Sequence, residues 1–132
     1  MGEIFRLPSC TIRTLDRLPA GPGIYYLTAG WRILYVGKSR NLRARWRNHH
    51  RYQQFAALHP LGRLHYRSLP APQITAYEAQ EIQRLHPRWN QRKVPGLWGV
   101  LRLRLQIWGQ LGAYTVLGGS LGGLLYSLLR SP

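Results

Sequence analysis

Glu78 stands where packing alone would place an apolar side chain. Thr75-Ala-Tyr-Glu78 has the spacing of a capping box, and a helix from there is predicted to run to about His86 and stop before Pro87. On its wheel Glu78, Ile82 and Leu85 share one side, so a carboxylate at the end of an apolar stripe faces the body of the protein. That is costly unless a cation or hydrogen-bond donors meet it. Upstream, Lys38, Arg40, Arg43, Arg45, Arg47 and Arg51 are crowded together with no acidic residue among them. Such a run favours phosphate contact over a merely solvated face. Glu81, one turn from Glu78, lies at the edge of the stripe and ranks second as a metal carboxylate.

Composition narrows the chemistry further. The 132 residues carry 19 Lys and Arg against 4 Asp and Glu, a formal charge of +15, which favours a polyanionic partner: nucleic acid or an anionic lipid surface. Only Glu3, Asp16, Glu78 and Glu81 are acidic, so mechanisms built on three or four clustered carboxylates are excluded. The single cysteine, Cys10, forms no internal disulfide, and no Cys/His cluster supplies four zinc ligands. His50, His59, His65 and His86 show no metal-ligand spacing and are read as surface or packing residues. MGEIFRLPSC lacks the pattern of a secretory signal, so a reducing, cytoplasmic setting is expected.

The elements that must position these groups come from patterning. Gly23 to Thr28 and Arg32 to Gly37 are β-rich runs joined by Ala29-Gly30, predicting a hairpin. Ser39 or Asn41 can cap a helix to about Tyr52, with Leu42, Trp46 and His50 on one stripe and Arg45 and His49 on a neighbouring face. Gly62 to Leu69, between prolines, predicts a third strand whose polar content suggests an edge. The expected fold class is α/β: a small, mainly antiparallel three-stranded sheet flanked by helices.

Gly23-Ile24-Tyr25 followed ten residues later by Tyr35-Val36-Gly37 resembles the paired signature of the GIY-YIG nuclease family. The agreement continues at that family's spacings through Lys38, Asn41-Leu42, Arg45, His49, Glu78 and Pro87-Arg-Trp-Asn90. Val36 replaces the second isoleucine of the signature. The resemblance covers about Leu18 to Val94 and is similar to the nuclease domains of excision repair, to homing-endonuclease catalytic domains and to small stand-alone bacterial proteins. Residues 1–17 are then a lead-in, 18–94 the nuclease domain and 95–132 an apolar tail.

The resemblance implies hydrolysis of DNA phosphodiesters by an endonuclease, with RNA as the other polyanion and a non-catalytic nucleic-acid-binding module as the competing reading. It casts Tyr25 as the group that positions or deprotonates water, with Tyr35 orienting water or phosphate beside it. Lys38 would lower the base's pKa or hold a phosphate, and Arg45 would meet the developing charge on the scissile phosphate. His49 would shuttle a proton or bind phosphate, one helical turn after Arg45. Glu78 would hold Mg²⁺ or Mn²⁺, since a hard cation can use one carboxylate plus waters and substrate phosphate. No small-molecule cofactor is implied. Lys38, Arg40, Arg43, Arg47 and Arg51 would contact DNA, while Gly23, Gly37 and Asn90 support the site. Singly, Tyr25 and Tyr35 are ordinary strand aromatics; their joint occurrence with the rest carries the argument.

The tail begins after Val94-Pro95-Gly96. Residues 105–129 carry no formal charge, long enough to span a bilayer, with Arg102 and Arg104 before and Arg130 after. Gly118/Gly122 and Gly119/Gly123 give GxxxG spacings, but polar residues dilute the run and Leu101-Arg-Leu-Arg-Leu105 alternates like a strand. Membrane insertion or attachment, packing on the nuclease domain and self-association all remain open; a span would set the nuclease on the cytoplasmic face.

Overall fold

The computed structural model describes residues 2–91 and 95–128, with side chains described as far as Gly112. Its strands are β1 (Ser9–Cys10), β2 (Gly23–Ala29), β3 (Arg32–Ser39) and β4 (Gly62–Ser68). The helices are α1 (Leu42–Arg47), α2 (Tyr52–Ala57), α3 (Ile74–Leu85), α4 (Arg88–Gln91) and α5 (Leu97–Leu128). One antiparallel sheet runs in the order β1-β4-β2-β3. The predicted three strands are therefore joined by a fourth, because Ser9 and Cys10 pair with His65 and Leu64. That pairing also takes β4 off the expected edge.

Every residue of β2 is buried, as expected of a central strand with a covered sheet on both faces. Tyr25, Leu27 and Ala29 face Leu42, Trp46, Phe55, Val100 and Ile107; Ile24 and Tyr26 face Ile4, Val36 and Ile74. The hairpin turns at Gly30, whose φ of 55° is the left-handed conformation that glycine adopts without steric cost. At Gly23 a side chain would overlap the carbonyl of Arg67 on β4, so glycine is needed there for close strand approach.

A register shift between Leu27 and Thr28 decides the site. Thr28 pairs with Ile33, but Leu27 pairs with Tyr35, leaving Leu34 as an extra residue in β3. Without that bulge Tyr35 would oppose Tyr26 and point to the α3 face; with it, Tyr35 lies on the Tyr25 face.

Three helices depart from expectation. Asn41 does cap α1, its Oδ1 accepting from the Ala44 N–H at 2.9 Å, but α1 stops at Arg47 rather than near Tyr52. The break at Asn48 turns His49 inward and leaves His50 exposed, reversing the stripe that grouped His50 with Leu42 and Trp46. The Thr75–Glu78 capping box does not form, because a turn at Ala71–Gln73 leads into α3 one residue earlier, at Ile74. Leu101 to Leu105 is helical, not extended. Helix α5 is held by burial of Val100 and Ile107 and by Arg104, which donates to the carbonyls of Ala57 and His59. Among the described residues no helix is long and apolar enough to cross a membrane. The side chains of the GxxxG segment, and residues 129–132, lie outside the described residues.

Candidate active site

Tyr25 is the centre of the arrangement. Its ring is 1% exposed and its hydroxyl lies 2.8 Å from Nε2 of His49. Gly37 is its cross-strand partner, and a Cβ there would stand 2.5 Å from the phenol oxygen, so the absent side chain makes room for the ring. Trp46 meets Tyr25 edge-on at 5.3 Å and stacks on His49 at 4.2 Å, while Tyr35 sits 6.1 Å from Tyr25. Trp46 was legible in the sequence only as a core residue; stacking on His49 gives it a second role.

The hydrogen bonds of His49 fix its tautomer. The backbone N–H of Arg51 donates to Nδ1 at 3.0 Å, so Nδ1 is bare and the neutral ring carries its proton on Nε2. His49 therefore donates to the Tyr25 oxygen, and the phenol proton of Tyr25 must point elsewhere. Burial, with the nearby cationic or protonatable His50, Arg45 and Arg51, pushes the imidazole from 6.5 down to about 3. Burial also raises the phenol pKa of Tyr25, reinforced by Tyr35 and Glu78 and opposed by Arg45.

The displaced imidazole has a consequence for stability. From pH 6.5 down to about 3, the unfolded chain binds a proton at position 49 that the folded chain refuses. Stability contributed by neutral His49 is complete above 6.5 and falls with pH below it, by up to about 1.4 kcal/mol per unit. Burial lowers His65 in the same direction. Urea midpoints measured from pH 7 to 4.5 are expected to fall less steeply in His49→Phe than in the parent; equal slopes would refute a buried neutral His49.

Lys38 pairs with Ile24 and so projects to the opposite face, where its Nζ meets Glu78 Oε2 at 2.9 Å. Glu78 is thus met by a cation, as its place on the stripe required, and remains partly open, with 20% of its side chain exposed. Glu81 proves more buried than the edge of a stripe implied, at 7%. Its oxygens accept from Tyr26 at 2.9 Å and from Arg84 at 2.8 Å, which removes it as an alternative metal carboxylate. Asn90 lies against β3: its Oδ1 accepts from the Val36 N–H at 2.9 Å and its Nδ2 donates to the Val36 carbonyl at 2.8 Å.

The basic residues divide. Arg40, Arg45 and Arg47 are exposed, as is Arg43, whose Nε donates to the Leu18 carbonyl. Arg51 differs from its expected place on a DNA-facing surface: its guanidinium stacks over Tyr35 at 4.4 Å and donates to the Trp89 carbonyl at 3.3 Å. The contact from Trp89 through Arg51 to Tyr35 spans residues too distant for spacing to reveal.

No family model matches the sequence. UvrABC system protein C of Corynebacterium jeikeium (strain K411) is 35% identical over 83 residues, covering 55% of this chain; the chain spans only 12% of that protein's length. Among solved structures, the GIY-YIG N-terminal endonuclease domain of UvrC from Thermotoga maritima matches in two Tyr-to-Phe point mutants bound to its catalytic divalent cation. The TM-score is 0.50 for both, with 21% and 20% identity, covering 61% of this chain and 96% of theirs.

Proposed function

We propose that this chain, whose fold is that of the GIY-YIG endonuclease domains, is a divalent-metal-dependent endonuclease that hydrolyses DNA phosphodiester bonds. The likeness in fold and the sequence similarity to a UvrC protein support a nuclease. The observation that carries the finer reading is that Tyr25, held by His49 and beside Tyr35, lies within electrostatic reach of both Arg45 and Glu78, the latter paired with Lys38.

The residues fit a divalent cation of one kind. Among the described residues no three His, Cys, Asp or Glu side chains cluster, and Glu81 is spent within the fold. Glu78 alone would hold Mg²⁺ or Mn²⁺, the remaining positions going to waters and substrate phosphate, which suits a cation that dehydrates reluctantly. When bound, the cation supplies neutralisation of phosphoryl charge. The protein's own groups do the rest. Tyr25 Oη orients the attacking water and takes its proton as phenolate, a form that burial disfavours and that donation from His49 Nε2 and the charge of Arg45 partly restore. The water oxygen bonds to phosphorus, the bridging P–O bond breaks, and the leaving oxygen takes a proton from solvent. Arg45 meets the charge that develops on the phosphoryl oxygens. His49, with Nε2 bonded to Tyr25 and Nδ1 to the Arg51 N–H, has no ring nitrogen left for phosphate and is a positioning residue rather than a phosphate ligand or shuttle. Lys38 holds Glu78, and exposed Arg40, Arg43 and Arg47 extend the contact along the backbone.

Supercoiled plasmid incubated with the full chain and Mg²⁺ or Mn²⁺ is expected to be nicked, with nicking stopped by a chelator. Arg45→Ala is expected to lower the rate about a hundredfold, as for loss of one transition-state donor. Plasmid that is bound but not cut with either metal would overturn the reading in favour of a binding module.

A further inference from the structure

A second site lies at the other end of the hairpin. The first turns of α5, helix α4 and the start of β3 enclose a cleft of about 610 Å³, lined by Trp31, Trp89, Arg32, Arg88 and Arg102 among others. That volume suits a ligand the size of a base rather than a duplex. No acidic residue lines it. Arg88 and Arg102 are exposed and make no hydrogen bond or ion pair among the described residues, and Trp31 at the turn is 45% exposed. Arg32 is fixed by donation to Gln110 of α5 at 3.1 Å, which ties the hairpin tip to the helix. An apolar floor, an open indole and arginines with no anion to meet describe a surface whose complement is aromatic and negatively charged.

We infer that this cleft binds single-stranded DNA, an unpaired base stacking on Trp31 while Arg88 and Arg102 take the flanking phosphates. Stacking on an indole is open only to a base with a free face, which selects unpaired over duplex nucleic acid. The choice of DNA rests on the nuclease reading above; the cleft itself does not. From Arg32 to Gly37 along β3 is about 16 Å at ~3.3 Å per residue. The cut therefore falls within about five nucleotides of the docked base, the count at the ~3.4 Å rise of fully stacked bases, and closer where the unpaired strand is extended.

The test is fluorescence anisotropy of labelled dT12, U12 and a 12-base-pair duplex with the full chain in EDTA, so that binding is read without cleavage. Trp31→Ala is expected to weaken dT12 binding about tenfold and duplex binding less than twofold, with Trp31→Phe restoring most of the loss. Arg88→Ala with Arg102→Ala is expected to reduce the salt slope on dT12 by about 1.4, or ~0.7 for each phosphate contact. No loss with Trp31→Ala, or equal loss on dT12 and duplex, overturns the cleft. Tighter binding of U12 than dT12 overturns DNA as its occupant. A chain that shows the Trp31 dependence yet nicks no plasmid refutes the nuclease reading and leaves the cleft standing.

Discussion

Glu78→Gln is expected to lower metal-dependent plasmid nicking by at least about a thousandfold while leaving DNA binding within twofold. The amide keeps the size of the side chain but loses the charge, and no other carboxylate near Lys38 can substitute, because Glu81 is held by Tyr26 and Arg84. Charge stabilisation by a bound cation is worth several kcal/mol, which corresponds to this loss. Stability should change little, since the Lys38 partner is 35% exposed and a pair so open to solvent contributes at most about 1 kcal/mol. Single-turnover nicking over a range of Mg²⁺ concentrations, beside a filter-binding isotherm, reads both quantities. Nicking within tenfold of the parent at any Mg²⁺ concentration would rule out Glu78 as the metal carboxylate.

Tyr25→Phe is expected to cost about a thousandfold in rate, within the range for losing a positioned general base. Only the oxygen is removed, so the ring keeps its place across Gly37 and against Trp46. The deletion strands the Nε2–H of His49, a buried donor then without its acceptor, at a cost of about 1–3 kcal/mol in stability. A second substitution, His49→Phe, separates the effects: it removes the stranded Nε2–H but frees the Arg51 N–H bonded to Nδ1, so the double variant should recover part of the stability and none of the activity. Denaturant midpoints and nicking rates for the two single variants and the double variant measure this. Activity in Tyr25→Phe within tenfold of the parent would transfer the role of base to Tyr35 or to solvent.

The parts of this arrangement that depend on local chemistry were legible in the sequence. The hairpin follows from two β-rich runs around Gly30, the start of α1 from Asn41, and the end of α3 from Pro87, with His86 in the left-handed conformation that closes it. Glu78 followed from helical periodicity. What escaped depends on contacts between distant residues. Helix α1 ends at Arg47 because His49 is drawn in by Tyr25 and Trp46, though Asn48-His49-His50-Arg51 holds no glycine or proline that would stop the helix. Glu81 is buried because Tyr26, 55 residues away, donates to it. The bulge that aligns Tyr35 with Tyr25 leaves no mark in a run where Ile33, Leu34 and Tyr35 are all strand formers. Helix α5 was obscured by its glycines and its alternating Leu-Arg segment, and its place follows from the hairpin tip and α2 against which it packs.

The two bonds between Asn90 and Val36 reach beyond the anchoring of α4. Strand β3 ends the sheet, and an end strand with free N–H and carbonyl groups is a template for a strand from another molecule. At Val36 the Asn90 amide supplies one donor and one acceptor in the positions a fifth strand would use. A side chain thereby closes the sheet where the signature sequence exposes its most β-prone backbone, guarding a small basic protein against aggregation by strand addition.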